Sequence, residues 1–199
     1  IQTGALEAAA KTLKTGWDKM TSGKSYLKHF PHDEIREPQV TAIDSALSAY
    51  KSGKRFVIIE AGTGVGKSAI GLTIARELND EYIYSEDYAQ GSWFVTTQKI
   101  LQDQYITDYG PPSGKLRSIK SSTNYTCGFH KKNTCAQSMR ILRTATKGSR
   151  FWNTCMFKCP YRTAKQEFID SRLGVTNFPY FLAESNYAKK ITPAFLARK

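Results

Sequence analysis

The spacing of apolar positions changes several times along the chain, and each change predicts an element. From residue 1 to 28, Leu6, Ala9, Leu13, Trp17 and Met20 recur at helical intervals and predict a packing helix. Phe30 to Glu37 holds Pro31 and a run of charge, which predicts a loop. Pro38 suits the first turn of a helix, where a missing N–H costs little. Val40, Ile43, Leu47 and Tyr50 share one face of that helix, and Ser52-Gly53 ends it. Arg55 to Glu60 is a short β-branched apolar run of the kind that fills a buried strand. A glycine-rich stretch follows directly. Ile70, Ile74 and Leu78 then resume helical spacing.

Asn79 to Gly91 is polar, acidic and rich in tyrosine, and predicts an excursion. Ser92 to Thr96 is a second strand candidate, and Gln98 to Tyr109 a helix through Ile100, Leu101 and Tyr105. Two strands separated by a helix indicate a parallel α/β sheet. Pro111-Pro112 breaks the pattern, and no long period follows it. Gly174 to Leu182 predicts a return to the edge of the sheet. A chain of 199 residues with 40% hydrophobic content can bury one sizeable core. No apolar run approaches the roughly 18 residues a membrane span needs. The N-terminus has no charged-then-apolar leader pattern. A soluble, intracellular protein, and a fragment of a longer one, is the expectation.

Charge sharpens the picture. The formal net charge of +12 is concentrated in one segment. Between Asp108 and Glu167 there is no acidic residue, while Lys115, Arg117, Lys120, Lys131, Lys132, Arg140, Arg143, Lys147, Arg150, Lys158, Arg162 and Lys165 lie there. Elsewhere 17 basic residues face 17 acidic ones, so the remainder is neutral. A local, one-signed charge is the electrostatic footprint of a polyanion partner. Tyr125, Phe129, Phe151, Trp152, Phe157 and Tyr161 interleave with these cations. Cations for phosphates and ring faces for bases are what grips single-stranded nucleic acid, although the same rings could form a small core.

All four cysteines, Cys127, Cys135, Cys155 and Cys159, fall in this segment. In an intracellular protein such a cluster suggests a metal site more than disulfides. The spacing C-x7-C-x19-C-x3-C is not that of paired zinc-ribbon units. Iron–sulfur and zinc both accept four thiolates, so the residues alone leave that choice open.

Ala61-Gly62-Thr63-Gly64-Val65-Gly66-Lys67-Ser68 fits the looser form of the Walker A phosphate loop, with alanine at the first glycine position. Its glycines let backbone N–H groups face an anion, and the helix that follows adds its positive end. Lys67 can reach the β- and γ-phosphates of ATP, and the Ser68 hydroxyl can hold Mg²⁺. Arg36-Glu37-Pro38-Gln39 lies about twenty residues upstream, where the Gln39 amide could present a donor and an acceptor to an adenine edge.

Together, Arg36-x-x-Gln39, Glu60 to Ser68, and Thr96-Thr97-x-x-x-Leu101-Gln102-x-Gln104-Tyr105 resemble the Q motif, motif I and motif Ia of superfamily-two helicases. The subgroup match is to the iron–sulfur helicases of the XPD and DinG group. Asn124-Tyr125-Thr126-Cys127 is similar to the opening of their cluster insertion, and Cys159-Pro160-Tyr161 to its close. Val175-Thr176-Asn177-Phe178, with Leu182, resembles the return to the motor. The resemblance covers residues 35 to 185.

It implies an α/β P-loop NTPase fold: a RecA-like parallel sheet carrying a small cysteine-rich iron–sulfur domain, and an incomplete motor. Residues 1–34 would be a helical extension, 35–110 the first half of motor domain 1, 111–170 the inserted domain and 171–199 the return. The implied activity is that of an ATP-dependent DNA helicase, 5′-to-3′ by family. Arg36, Gln39 and Gly62 to Ser68 would bind ATP with Mg²⁺. The four cysteines would hold a [4Fe–4S] cluster, with zinc as the other occupant. Thr97, Gln98, Gln104, Lys120, Asn124, Tyr125, Tyr161 and Arg162 would meet single-stranded DNA or single/double-strand junctions. The setting would be the cytoplasm of a bacterium or phage-infected cell, or a nucleus, with DNA repair among the family's pathways.

The Asp-Glu-Ala-His motif of that family does not occur in the 199 residues. Asp80-Glu81 and Glu86-Asp87 fall in the polar stretch, and Glu184 has no acidic neighbour. A second RecA-like domain is expected in a longer protein, and the chain by itself is expected to bind nucleotide without hydrolysing it. Two other readings stay open: a stand-alone, metal-stapled nucleic-acid binder, and a kinase-like P-loop protein with a zinc insertion.

Overall fold

A computed structural model describes residues 18–81, 91–110 and 116–191, together with 11, 14 and 16. The chain divides into two compact units, Ile1–Glu81 and Tyr82–Lys199. Of the apolar positions expected on an N-terminal helix, only Met20 is described, and it packs against the core of the first unit. Glu86-Asp87 and Pro111-Pro112 lie outside the described residues.

The first unit rests on two helices, α1 (Glu37–Lys51) and α2 (Lys67–Glu81). Arg36 caps α1, and Pro38 sits in its first turn, where a proline lacks nothing the helix needs. Val40, Ile43 and Leu47 of α1 meet Ile70 and Ile74 of α2, with Tyr26 and Ile35 closing the cluster. Each such aliphatic side chain contributes about 1.5–3 kcal/mol when fully buried. A 3₁₀ turn at Ser25–His29 precedes the loop to α1. α2 extends through Asp80 and Glu81, so these acids end a helix rather than lying in a loop. Asp80 pairs there with Lys28 (3.2 Å) and His29 (3.0 Å).

Arg55 to Glu60 departs from expectation. It carries no strand among the described residues. Phe56 is 87% and Ile58 95% exposed, while Val57 alone turns onto the core of the first unit. A strand is defined by the ladder beside it, and no described strand pairs with this segment.

The second unit is built on a parallel sheet of three strands, β1 (Ser92–Thr96), β2 (Leu116–Ser118) and β3 (Leu173–Asn177), in the order β1-β3-β2. Ser92 pairs with Leu173 and Thr96 with Asn177 on one side; Leu116 pairs with Leu173 on the other. β3 is therefore central, not at the edge, and all five of its residues are buried. The sheet also takes in Leu116–Ser118, which the pattern had left to the basic segment. Helix α3 (Lys99–Tyr109) connects β1 towards β2.

Gly174 in β3 permits a close crossing. A Cβ there would lie 2.4 Å from the Trp93 ring and 2.5 Å from Phe168. Those rings stack 4.1 Å apart, centroid to centroid. Gln102 of α3 is fully buried and ties three segments together. Its Nε2 donates to Ser118 Oγ (2.6 Å) and Ile119 O (2.8 Å), and its Oε1 accepts from Asn177 Nδ2 (3.1 Å). Asn177 Oδ1 in turn accepts from Tyr180 N (3.1 Å), opening helix α7 (Phe178–Ile191).

Between β2 and β3 the chain makes three helices: α4 (Cys135–Leu142), α5 (Arg150–Phe157) and α6 (Pro160–Asp170). The sequence marks each start. Thr134 and Gln137 form a reciprocal cap, Ser149 accepts the N–H of Trp152, and Pro160 takes the first turn of α6. The cysteine segment thus leaves from and returns to adjacent parallel strands. No helix among the described residues is long and apolar enough to cross a membrane.

Candidate nucleotide and metal sites

The phosphate loop runs from Ala61 into α2, and Ile70 N closes the first helical turn on Gly66 O (3.1 Å). Two side chains of the α1 entry grip it. Arg36 Nη2 donates to Gly64 O and Val65 O, both at 2.9 Å, and Gln39 Nε2 donates to Val65 O at 2.8 Å. A peptide unit is planar and trans, so its C=O and the following N–H point in opposite directions. Pinning the carbonyls of Gly64 and Val65 towards α1 therefore turns the N–H groups of Val65 and Gly66 away from it, as an anion cradle requires.

Gln39 is buried, and its Oε1 accepts from Arg36 N (2.8 Å). Its amide, expected at an adenine edge, is here committed to the loop and to the helix cap. Lys67 Nζ is turned back onto Ala61 O and Gly62 O, 3.0 Å each. Gly62, Thr63 and Gly64 are exposed, and Ser68 is half-buried at the first turn of α2.

The four cysteines, spread over 33 residues of sequence, meet at one place. The first two are joined by a main-chain knuckle: Cys127 N donates to Asn133 O (2.9 Å) and Cys135 N to Tyr125 O (2.7 Å). The capped start of α4 sets Cys135 at its first residue; α5 carries Cys155, and Cys159 is the cap of α6. All four are buried and unbridged. They line a cavity of about 10 Å³ with Gly128, Ser138, Met139 and Thr154. Cys135 and Cys159 sulfurs are 3.8 Å apart.

Buried thiols without a carboxylate or lysine among them form a soft donor set, suited to zinc or iron–sulfur. Among the described residues, no three His, Cys, Asp or Glu side chains are set to hold a single metal ion.

Burial sets the thiol acidities apart. It pushes Cys135 and Cys155 up to about 11, with neighbouring sulfurs adding to the effect. At Cys127 burial acts in the same direction, but the Ser138 hydroxyl and the N–H groups of His130 and Phe129 outweigh it and lower the pKa. Both N–H groups lie 3.4 Å from its sulfur.

The residues expected at nucleic acid come from the start of α3 and its first turns, the segment 120–125 and the start of α6. Thr97, Gln98 and Gln104 are exposed around the start of α3. Lys120 is ion-paired to Asp103. Asn124 donates to Ser121 O (3.0 Å) and accepts from Lys99 Nζ (3.2 Å). Tyr125 and Tyr161 are half-buried and meet edge to face, 5.6 Å between centroids. The Tyr161 hydroxyl lies 3.0 Å from that of Tyr180, and burial pushes its pKa up to about 12. Arg162 is exposed.

The basic character lies elsewhere on the same segment. Lys131, Lys132, Arg140, Arg143, Lys147, Arg150, Lys158 and Arg162 are all exposed, and none is in an ion pair among the described residues. Glu184, alone in the sequence, is partnered by Lys165 (2.6 Å). Sequence reasoning missed Ser138 and the Arg36 grip on the loop. Arg36 carried a signal in its offset from Gln39, and Ser138 in its place one turn after Cys135.

Residues 32–159 match the family described as type III restriction enzyme, res subunit. The chain belongs to this family. It is a superfamily-two helicase-like P-loop family of ATP-dependent enzymes acting on nucleic acid, and the match spans the α1 entry, the phosphate loop and the segment up to Cys159. No curated protein matches the chain. Family membership is consistent with ATP and Mg²⁺ as ligands. It does not speak to the cysteines.

Proposed function

We propose that this chain is the first part of the motor of an iron–sulfur DNA helicase that couples ATP hydrolysis to 5′-to-3′ movement on single-stranded DNA. The convergence of Cys127, Cys135, Cys155 and Cys159 on one buried cavity carries the reading. A helicase-like P-loop domain has no need of such a cavity for nucleotide chemistry. Its presence in a segment that leaves and rejoins neighbouring strands supports an inserted module.

In this reading Arg36 and Gln39 hold the loop, and the N–H groups of Val65 and Gly66 receive phosphate. Lys67 leaves the carbonyls of Ala61 and Gly62 to neutralise the β- and γ-phosphates, and the Ser68 hydroxyl faces Mg²⁺. A [4Fe–4S] cluster on the four thiolates would supply a structural crosslink among the knuckle, α5 and the start of α6. The exposed cations of the module neutralise DNA phosphates, and single/double-strand junctions are the proposed substrate. The acidic pair that activates water would belong to further sequence, with a second motor domain.

Anaerobically purified protein should be brown and contain about four iron and four acid-labile sulfide per chain. A colourless protein with one zinc per chain would overturn the cluster.

A further inference from the structure

Helix α5 presents one fully exposed face. Arg150, Asn153 and Phe157 are exposed, while the residues between them are half-buried or buried. Positions three, four and seven apart lie along one side of a helix, so a guanidinium, an amide and a ring form a single stripe. Lys158, also exposed, continues it.

Phe157 is the outlier of the module. Its side chain is 73% exposed. The other rings are packed: Phe151 lies 5.4 Å from Phe129 and 4.5 Å from His130, and Trp152 is half-buried. The chain holds Phe157 outward. Cys155 and Cys159 flank it two residues away on either side, and both turn into the cavity. The short arch between them cannot bury its own central ring. Trp152 supports the ring edge to face at 6.1 Å. Asn153 Nδ2 donates to Gly148 O (2.9 Å), joining the stripe to the turn that carries Lys147.

An exposed phenylalanine among exposed cations, in a stretch of sequence without acidic residues, fits a partner that offers both flat rings and negative charge. We propose that the Arg150–Asn153–Phe157–Lys158 stripe is a contact for single-stranded DNA, in which the Phe157 ring stacks on a base while Arg150 and Lys158 meet the flanking phosphates. This rests on the nucleic-acid reading above and moves its base contact away from Tyr125 and Tyr161, whose rings are engaged with each other. Stacking serves any sequence, because every base has a π-face.

The test compares the full chain and its variants on two fluorescent probes: an oligothymidylate, and an abasic strand of the same length. Phe157→Ala should weaken oligothymidylate binding by about tenfold, the range of one lost base stack, while Phe157→Tyr stays close to wild type. Both proteins should bind the abasic strand equally, and Phe157→Ala should leave the salt slope unchanged. Lys158→Ala should instead lower the slope on both probes, by about 0.7 for one phosphate contact on a single strand. Wild-type affinity in Phe157→Ala, an equal loss on the abasic strand, or tighter binding to oligouridylate would overturn the stripe as a DNA base contact. If wild-type protein binds neither probe, the nucleic-acid reading falls, and the stripe with it.

Discussion

In the proposed iron–sulfur helicase, replacing Cys159 with serine should strip the module of its cluster and unfold it, while nucleotide affinity stays within about twofold of wild type. Cys159 caps α6 and lies 3.8 Å from Cys135 at the start of α4, so it links the knuckle to the helix that leads back to β3. The module between Ser121 and Cys159 has little else to hold it. Its buried residues are the four cysteines and Ser138, and its other apolar side chains are half-buried or exposed. Small domains of this kind take their stability from bound metal, where binding and folding are coupled by on the order of 10 kcal/mol. Serine offers a poor ligand at neutral pH, and the loss of one of four thiolates should release iron during purification. Strand separation by the proposed helicase should then be abolished.

The phosphate site belongs to the other compact unit and draws on Arg36, Gln39 and Lys67, none of which shares a hydrogen bond with the cysteine segment. Iron content, limited proteolysis across 121–159 and binding of a fluorescent ATP analogue would be measured on one preparation. Ser138→Ala, which removes one buried hydroxyl from the cavity lining and no thiol, should keep its iron and so control for generic damage. An equal loss of nucleotide binding in Cys159→Ser would mean that the two units are not separable.

The nucleotide half of this molecule was legible because its signals are local. Pro38, the glycines of the loop and the spacing of Ile70 and Ile74 each act within a few residues, and α1 and α2 lie where they indicate. The cysteine convergence was legible for a different reason: four cysteines in one segment and none elsewhere point to a common place, whatever the path between them. The sheet was harder to read. β3 reads Leu-Gly-Val-Thr-Asn, a composition that looks like an edge or a turn, yet it is the central strand. Its polar side chains are satisfied by distant partners, Asn177 by Gln102 and Thr176 by Ile119 O at 3.0 Å. Gln102 and Asn177 are 75 residues apart, and no local pattern announces such a pair.

Arg55 to Glu60 failed in the other direction. Its β-branched run states a preference for a strand, but a strand exists only with a neighbour to bond, and none is present among the described residues. The helices of the basic segment went unread because they are short: α4 and α5 have eight residues each, barely two turns in which a period can declare itself.

Gly66→Ala should weaken nucleotide binding by about a hundredfold without unfolding α1 and α2. Gly66 has φ +86°, a backbone conformation that costs a non-glycine residue about 1–3 kcal/mol. A Cβ would also stand 2.6 Å from Gln39 Nε2 and 3.4 Å from Arg36 Nη2. Gln39 is buried, so its amide has little room to retreat. Displacing it breaks its bond to Val65 O, and the Val65 carbonyl is what keeps the Gly66 N–H facing phosphate. The substitution therefore strikes twice, through strain at φ and through the lost grip, and the two parts can be separated. Gln39→Ala removes the obstacle and the grip together, leaving Arg36 to hold both carbonyls. Gln39→Ala should weaken ATP binding by about tenfold, the worth of one buried hydrogen bond at 1–1.5 kcal/mol. In the double variant the alanine at 66 meets no Gln39 amide, so its added cost should shrink to the φ term. Analogue binding measured across this cycle should be less than additive, since the residues touch. Strict additivity would show that Gln39 and Gly66 act independently, and that the α1 entry does not position the loop.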